Sequence, residues 1–213
     1  MKTLLLNGSP NEKGSTYTAL SFVAEELVQE GIEAEIFHAS KEPTSGCRAC
    51  YACRNNGRNR CAFDGDAVNV ILEKIETADA LVLGSPTYYA APNGQFLAVL
   101  DRVFFTGSPA GLFAGKPAAA ICAARRGGTT ATLEVLQKYF TIAGMPIAPA
   151  TYWPMIHGVA AEEVVKDLEG VQTMRMVGKT VAWLLKCIEA GKREGLAYPT
   201  VPGGEKVMTN FIR

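Results

Sequence analysis

No apolar run in the chain approaches the roughly 18 residues that a membrane-spanning helix needs. The apolar opening MKTLLL is broken by Asn7-Gly8-Ser9-Pro10, so no secretory leader and no membrane association are expected, and a cytoplasmic location is. Charge of one sign is not in excess. Lys and Arg number 21, Asp and Glu number 21, and nothing marks the chain as a nucleic-acid binder. Histidine is scarce: His38 and His157 are the two, and both read as structural. The common phosphate-binding signatures, G-x4-G-K-[ST] and GxGxxG, are missing. Internal repeats and low-complexity stretches are absent too.

What is present suits a soluble α/β protein. At 213 residues and 48% hydrophobic, the chain can bury a full core in one domain with a tail. KTLLL at 2–6 reads as a buried strand ended by a sharp loop. Gly14-Ser15-Thr16 opens a helix that closes on Gly31. EAEIFHA at 33–39 is a second strand, and Asp66 is placed to cap a helix over 67–78. A third strand is expected over about 80–84, a helix over 93–105 and a fourth strand over 116–124. A helix over about 129–143 follows, then PIAPATYW at 146–153 as a fifth strand and a long helix over roughly 161–190. Strands alternating with helices imply right-handed crossovers and a doubly wound parallel sheet. Five strands fit the flavodoxin-like order 2-1-3-4-5, with the ligand at the carboxyl ends of the strands.

The loops after strands one, three and four are therefore the candidate site. NGSPNEKGST at 7–16 offers backbone amides at a helix start, with hydroxyls from Ser9, Ser15 and Thr16 and the amide of Asn11, which together suit a phosphate monoester. Ser15 and Thr16 equally suit a simple capped turn. GSPTYYAAPNGQ at 84–95 is stiffened by two prolines, and its Tyr88 and Tyr89 suit either a flat heterocycle or a neighbouring subunit. In AARRGGTT at 123–130, Gly127-Gly128 permits close backbone approach, while Arg125 and Arg126 are surface charges or ligand contacts. Asp101-Arg102 on the helix between reads as structural or interfacial.

Together, LLLNGSPNEKGST, VLGSPTYYAAPNGQFLAVLDR and the glycine pair resemble the NAD(P)H-dependent FMN reductase and flavodoxin-like family over roughly residues 1–155. The resemblance implies FMN as cofactor and NAD(P)H as co-substrate. It puts Ser9, Asn11, Ser15 and Thr16 on the FMN phosphate, and Ser85, Pro86, Thr87, Tyr88 and Tyr89 at one edge of the isoalloxazine. Arg125, Gly127 and Gly128 fall near the other edge. A flavin domain is expected over 1–190, with a tail over 191–213 whose apolar Asn210-Phe211-Ile212 suggests packing on a neighbouring subunit; flavin loops in the family often lie at subunit interfaces, so a homodimer or homotetramer is expected.

Four of the six cysteines lie in GCRACYACRNNGRNRC, as Cys47, Cys50, Cys53 and Cys61. Iron–sulfur flavoproteins of this family are similar in carrying a compact cysteine motif after the second strand. The seven-residue gap before Cys61 stands at the long end of that pattern. The readings are a 4Fe–4S cluster, bare or partly disulfide-bonded thiols, or zinc. Arg48, Arg54, Arg58 and Arg60 would raise a cluster's potential, attract an acidic partner or NADPH, or simply be solvated. Cys122 and Cys187 read as small buried residues. The expected function is an FMN-dependent oxidoreductase passing electrons from NAD(P)H to a second acceptor. The alternatives are an iron–sulfur flavoprotein carrier fed by ferredoxin, and a cysteine-based redox sensor or interaction protein.

Overall fold

Leu4, Leu5 and Leu6 are all fully buried, which happens to consecutive residues of a strand only when helices cover both faces of its sheet. In the computed structural model, which describes residues 1–55, 59–204, 206–209 and 211, these leucines lie on β1 (Lys2–Asn7). The other strands are β2 (Glu33–His38), β3 (Ala80–Tyr88), β4 (Ala91–Pro92), β5 (Ala118–Ala124) and β6 (Met155–His157). The parallel sheet runs β2-β1-β3-β5-β6, and two-residue β4 folds back antiparallel onto the end of β3. Counted along the parallel strands alone, this is the expected 2-1-3-4-5.

The strand period of two splits the core into two layers. Leu4 and Leu6 face α3 (Ala67–Thr77), α4 (Gly94–Gly107) and α5 (Thr129–Ile142). Leu5 faces α1 (Ser15–Gln29) and α7 (Leu168–Arg193). Two four-residue helices, α2 (Ala52–Asn55) and α6 (Ala161–Val164), complete the chain. β5 is nearly all alanine, so both helical layers come close to it. α1 and α7 touch along Leu20, Val23 and Leu27 against Val177, Val181 and Leu185. Arg175 reinforces the seam by donating to Glu25 and Glu26.

Three expectations change. Residues 146–153 do not form the fifth strand; Ile147 makes an isolated bridge to Ala118, and the strand is Met155–His157. Pro146, Pro149 and Pro154 lack the amide a ladder needs, so the regular pairing starts only beyond them. The long helix is broken at Asp167, whose carboxylate accepts from Gly170 N at 2.9 Å and from His157 N at 2.8 Å. Cys122 is buried as expected, but Cys187 is exposed. In the tail, Tyr198 donates to Gly144 O of its own chain at 2.7 Å. Phe211 is exposed, and Asn210 and Ile212 lie outside the described residues. No described helix is long and apolar enough to cross a membrane.

Two outcomes follow. A Cβ added to Gly178 would meet Val23 O at 2.6 Å and Glu26 Cβ at 2.8 Å. Overpacking against backbone costs about 1–3 kcal/mol and outweighs the roughly 1 kcal/mol of helix propensity that alanine adds, so Gly178→Ala lowers stability in urea denaturation. Burial pushes the Cys122 thiol up to about 12. Iodoacetamide at pH 8 should therefore label Cys187 on the folded protein and spare Cys122 until it unfolds.

Candidate functional site

The loop after β1 is built on Asn7. Its side chain donates to Glu12 O at 2.9 Å and accepts from Ser9 N at 3.1 Å, which curls residues 8–12 into a tight bend. Gly8 N donates to Gly84 O at 2.8 Å, and Asn93 Nδ2 donates to Gly8 O at 2.9 Å. Gly8 has no alternative here, because a Cβ would sit 2.2 Å from the Phe96 ring. His38 Nε2 lies 2.8 Å from Ser9 O, and Ser9 Oγ accepts from Asn11 N at 3.1 Å. The bend is thus tied to β2, β3 and α4 before it enters α1.

α1 itself begins uncapped. Gly14 at its N-cap offers no side chain, and the first turn carries no acid. The amides and the positive end of the helix dipole are left for an anion. They open into a cleft of about 650 Å³, within the usual range for small-molecule sites. Ser9, Asn11, Ser15 and Thr16 line it, together with Pro86, Thr87, Tyr88 and Arg125. Thr87 Oγ1 is buried without a partner, a polar atom suited to a ligand's hydrogen bond.

Four of the residues singled out from sequence are not on that lining. Ser85 is fully buried; its Oγ accepts from Asn93 N at 3.0 Å and donates to Pro86 O at 2.9 Å, so it braces the loop. Tyr89 is fully exposed and, with Ala90, has a left-handed backbone (φ 51° and 57°), a conformation of order 1–3 kcal/mol that functional loops often carry. Gly128 lets this turn approach: a Cβ there would lie 2.8 Å from Ala90 Cα. Gly127 and Gly128 therefore lead into α5, whose N-terminus also has no side-chain cap.

A fourth loop joins the cleft, Gly158 to Glu162 after β6. Sequence reading missed it because the fifth strand was set too early. The Gly158 turn ahead of two alanines and two glutamates was the available signal. Ser15 Oγ donates to Val159 O at 3.3 Å, and the His157 ring Nε2 lies 3.1 Å from Arg126 O. His157 thus ties this loop to the one after β5.

The cysteine segment forms a second centre. Cys47, Cys50, Cys53 and Cys61 all line one small cavity with Phe63, Arg102 and Phe105, and all four are free thiols. Left-handed Ala49 and Tyr51 (φ 50° and 57°) alternate with the first cysteines and turn the chain around it. Arg48 stacks over Phe63 and Arg54 over Phe105, whereas Arg60 pairs with Asp64 and Glu73; Arg58 lies outside the described residues. Arg102, expected to be structural or interfacial, is 2% exposed and aims its guanidinium at Cys61 Sγ. Burial penalises its charge, but hydrogen bonds to Asp66 and Cys61 outweigh that and raise its pKa. Among the described residues, no three His, Cys, Asp or Glu side chains gather closely enough for a single metal ion. Four thiols around one cavity beside a buried cation are a donor set whose chemistry fits an iron–sulfur cluster.

Comparison with known proteins agrees with this geometry. Residues 1–160 match the family described as NADPH-dependent FMN reductase. An iron–sulfur flavoprotein of Methanocaldococcus jannaschii is 29% identical over 200 residues, spanning 89% of this chain and 100% of the relative. Another, from Methanosarcina thermophila, is 26% identical over 195 residues, spanning 90% and 99%. Among solved structures, RosB with bound 8-demethyl-8-formylriboflavin-5′-phosphate superposes with a TM-score of 0.68 at 18% identity, covering 100% of this chain and 92% of RosB. FerB, an NAD(P)H:acceptor oxidoreductase of Paracoccus denitrificans, gives 0.64 at 17%, covering 87% and 97%. Those two likenesses concern the fold; the sequence match over most of the chain decides the family. The chain belongs to the NADPH-dependent FMN reductase family, and iron–sulfur flavoproteins are among its sequence relatives.

Proposed function

We propose that this FMN-dependent oxidoreductase accepts hydride from NAD(P)H and passes electrons to a second acceptor. The observation that carries the reading is the uncapped α1 N-terminus opening into the cleft, a site for the dianionic end of a flavin mononucleotide. Bound FMN supplies the hydride-accepting and electron-splitting chemistry. Ser9, Asn11, Ser15 and Thr16 hold its phosphate, and Thr87 offers the ring edge a hydroxyl. Pro86 and Tyr88 flank the ring, with Ser85 bracing their loop from beneath. Backbone amides of Arg125, Gly127 and Gly128 are suited to stabilise negative charge on the reduced ring. No side-chain acid or base is needed for hydride delivery.

A second reading is favoured by the cysteine cavity and by the printed names of the relatives. In it Cys47, Cys50, Cys53 and Cys61 hold a 4Fe–4S cluster, which supplies one-electron exchange with a protein donor such as a ferredoxin. The residues 1–190 form the flavin domain, and the exposed Tyr89, Tyr152 and Trp153 suit a contact with a second subunit.

Three measurements test these readings. Gly14→Asp puts a carboxylate where the phosphate should sit; FMN affinity should fall at least about tenfold, or ~1.4 kcal/mol, while the cluster-free fold keeps its stability because aspartate also caps helices. Unchanged FMN binding in a fluorescence titration would place the phosphate elsewhere. Anaerobically purified protein should carry flavin and about four irons per chain, and NAD(P)H should bleach the flavin within minutes. Less than one iron per chain sinks the cluster reading, and a flavin that stays yellow sinks the NAD(P)H reading.

A further inference from the structure

Arg102 spends nearly every donor of its guanidinium on the cysteine segment. Nε and Nη2 each lie 3.3 Å from Cys61 Sγ. Nη2 also donates to Phe63 O at 2.9 Å, and Nη1 donates to Ser45 O at 3.3 Å and to Asp66 Oδ2. These partners stand at both ends of the segment: Ser45 precedes Cys47, and Asp66 follows Cys61 and caps α3 through Val68 N at 3.1 Å. One side chain from α4 therefore clasps the whole loop. Two parallel N–H groups on one sulfur is the fork geometry that arginine offers an anionic acceptor, and Asp66 balances the guanidinium's own charge.

Cys61 is fixed at its backbone as well. Its N–H donates to Asn69 Oδ1 at 2.9 Å, and Asn69 Nδ2 donates back to Cys61 O at 3.1 Å. Asn69 is buried on α3. Cys61 is thus held from two helices of the core, while Cys47 and Cys50 sit exposed on the loop ahead of α2. Phe63, under the guanidinium at 5.7 Å, helps keep water from the N–H groups.

We propose that Arg102 is the positioning residue of the cysteine centre. It presents Cys61 as the preformed ligand on which the other three thiolates close, and its paired N–H groups on that sulfur favour the reduced state of the bound cluster. Hydrogen bonds to ligand sulfur and a fixed positive charge both stabilise the more negative redox state. The proposal rests on the cluster reading above and concerns how this chain, through a residue outside the cysteine motif, holds and tunes that group.

The test uses the full chain purified without oxygen, as wild type, Arg102→Gln and Arg102→Lys. Iron, flavin, melting temperature and the cluster's midpoint potential are read on each. Arg102→Gln should keep wild-type flavin, lose at least half its iron, and show a reduced-to-oxidised ratio about tenfold lower at a given potential, roughly 59 mV for one electron. Arg102→Lys keeps the charge without the planar fork, so it should hold its iron and show a fall in the same ratio of at least about threefold. If the glutamine chain does not fold, the lysine chain decides. Wild-type potential in Arg102→Lys overturns the proposal, as does joint loss of flavin, iron and melting temperature in both variants, which would make Arg102 a scaffold residue only. A wild-type chain with flavin and no iron overturns the cluster reading itself, and the proposal with it. Wild-type iron and potential in Arg102→Gln overturn the proposal alone.

Discussion

A parallel sheet covered by helices on both faces has no solvated side, so a ligand meets its backbone at the strand ends. Everything functional in this chain follows from that constraint. β1, β3, β5 and β6 run the same way and stop at one edge, at Asn7, Tyr88, Ala124 and His157. Each then enters a loop that must satisfy its own polar groups while leaving others free for a ligand. Asn7, Ser85 and Asn93 do the first task with side-chain amides and a hydroxyl. The uncapped start of α1 does the second. That missing cap, which would weaken an isolated helix by about 1 kcal/mol, here leaves donors at a cleft.

The two centres follow different electrostatic designs. The cleft presents a helix dipole and hydroxyls, with Lys13 and Arg125 also on its lining. The cysteine cavity uses a permanent buried cation. Arg102 can be tolerated there because Asp66 shares its charge and because Cys61, Phe63 and Ser45 take its remaining donors. Both centres hang on α4: Asn93 at its N-cap holds the bend after β1, and Arg102 two turns later holds the cysteine loop. A single helix thus sets the relative placement of the two.

Much of this is legible in the sequence. The β/α alternation, the crossover order and the loops after β1, β3 and β5 could be read from local patterns, because a buried strand must be apolar and a helix start must show Gly, Ser or Thr nearby. The fifth strand was misplaced because three prolines interrupt an apolar stretch whose composition still looks strand-like. That error hid the loop at Gly158–Glu162. The long helix was drawn through Asp167, since nothing within a few residues signals that its carboxylate also binds His157 N across the turn.

By itself the sequence determined the sheet order, the open helix start at Gly14 and the set of four clustered cysteines, all encoded by residues close together in the chain. Only the tertiary structure decided that Gly128 serves the Tyr89–Ala90 turn, that Cys187 is exposed, and that Arg102 serves Cys61 across 41 residues of chain. The reason is physical. An arginine on an amphipathic helix looks the same in sequence whether it meets water or a sulfur, and its partner is chosen by how α3 and α4 pack, which no local pattern records.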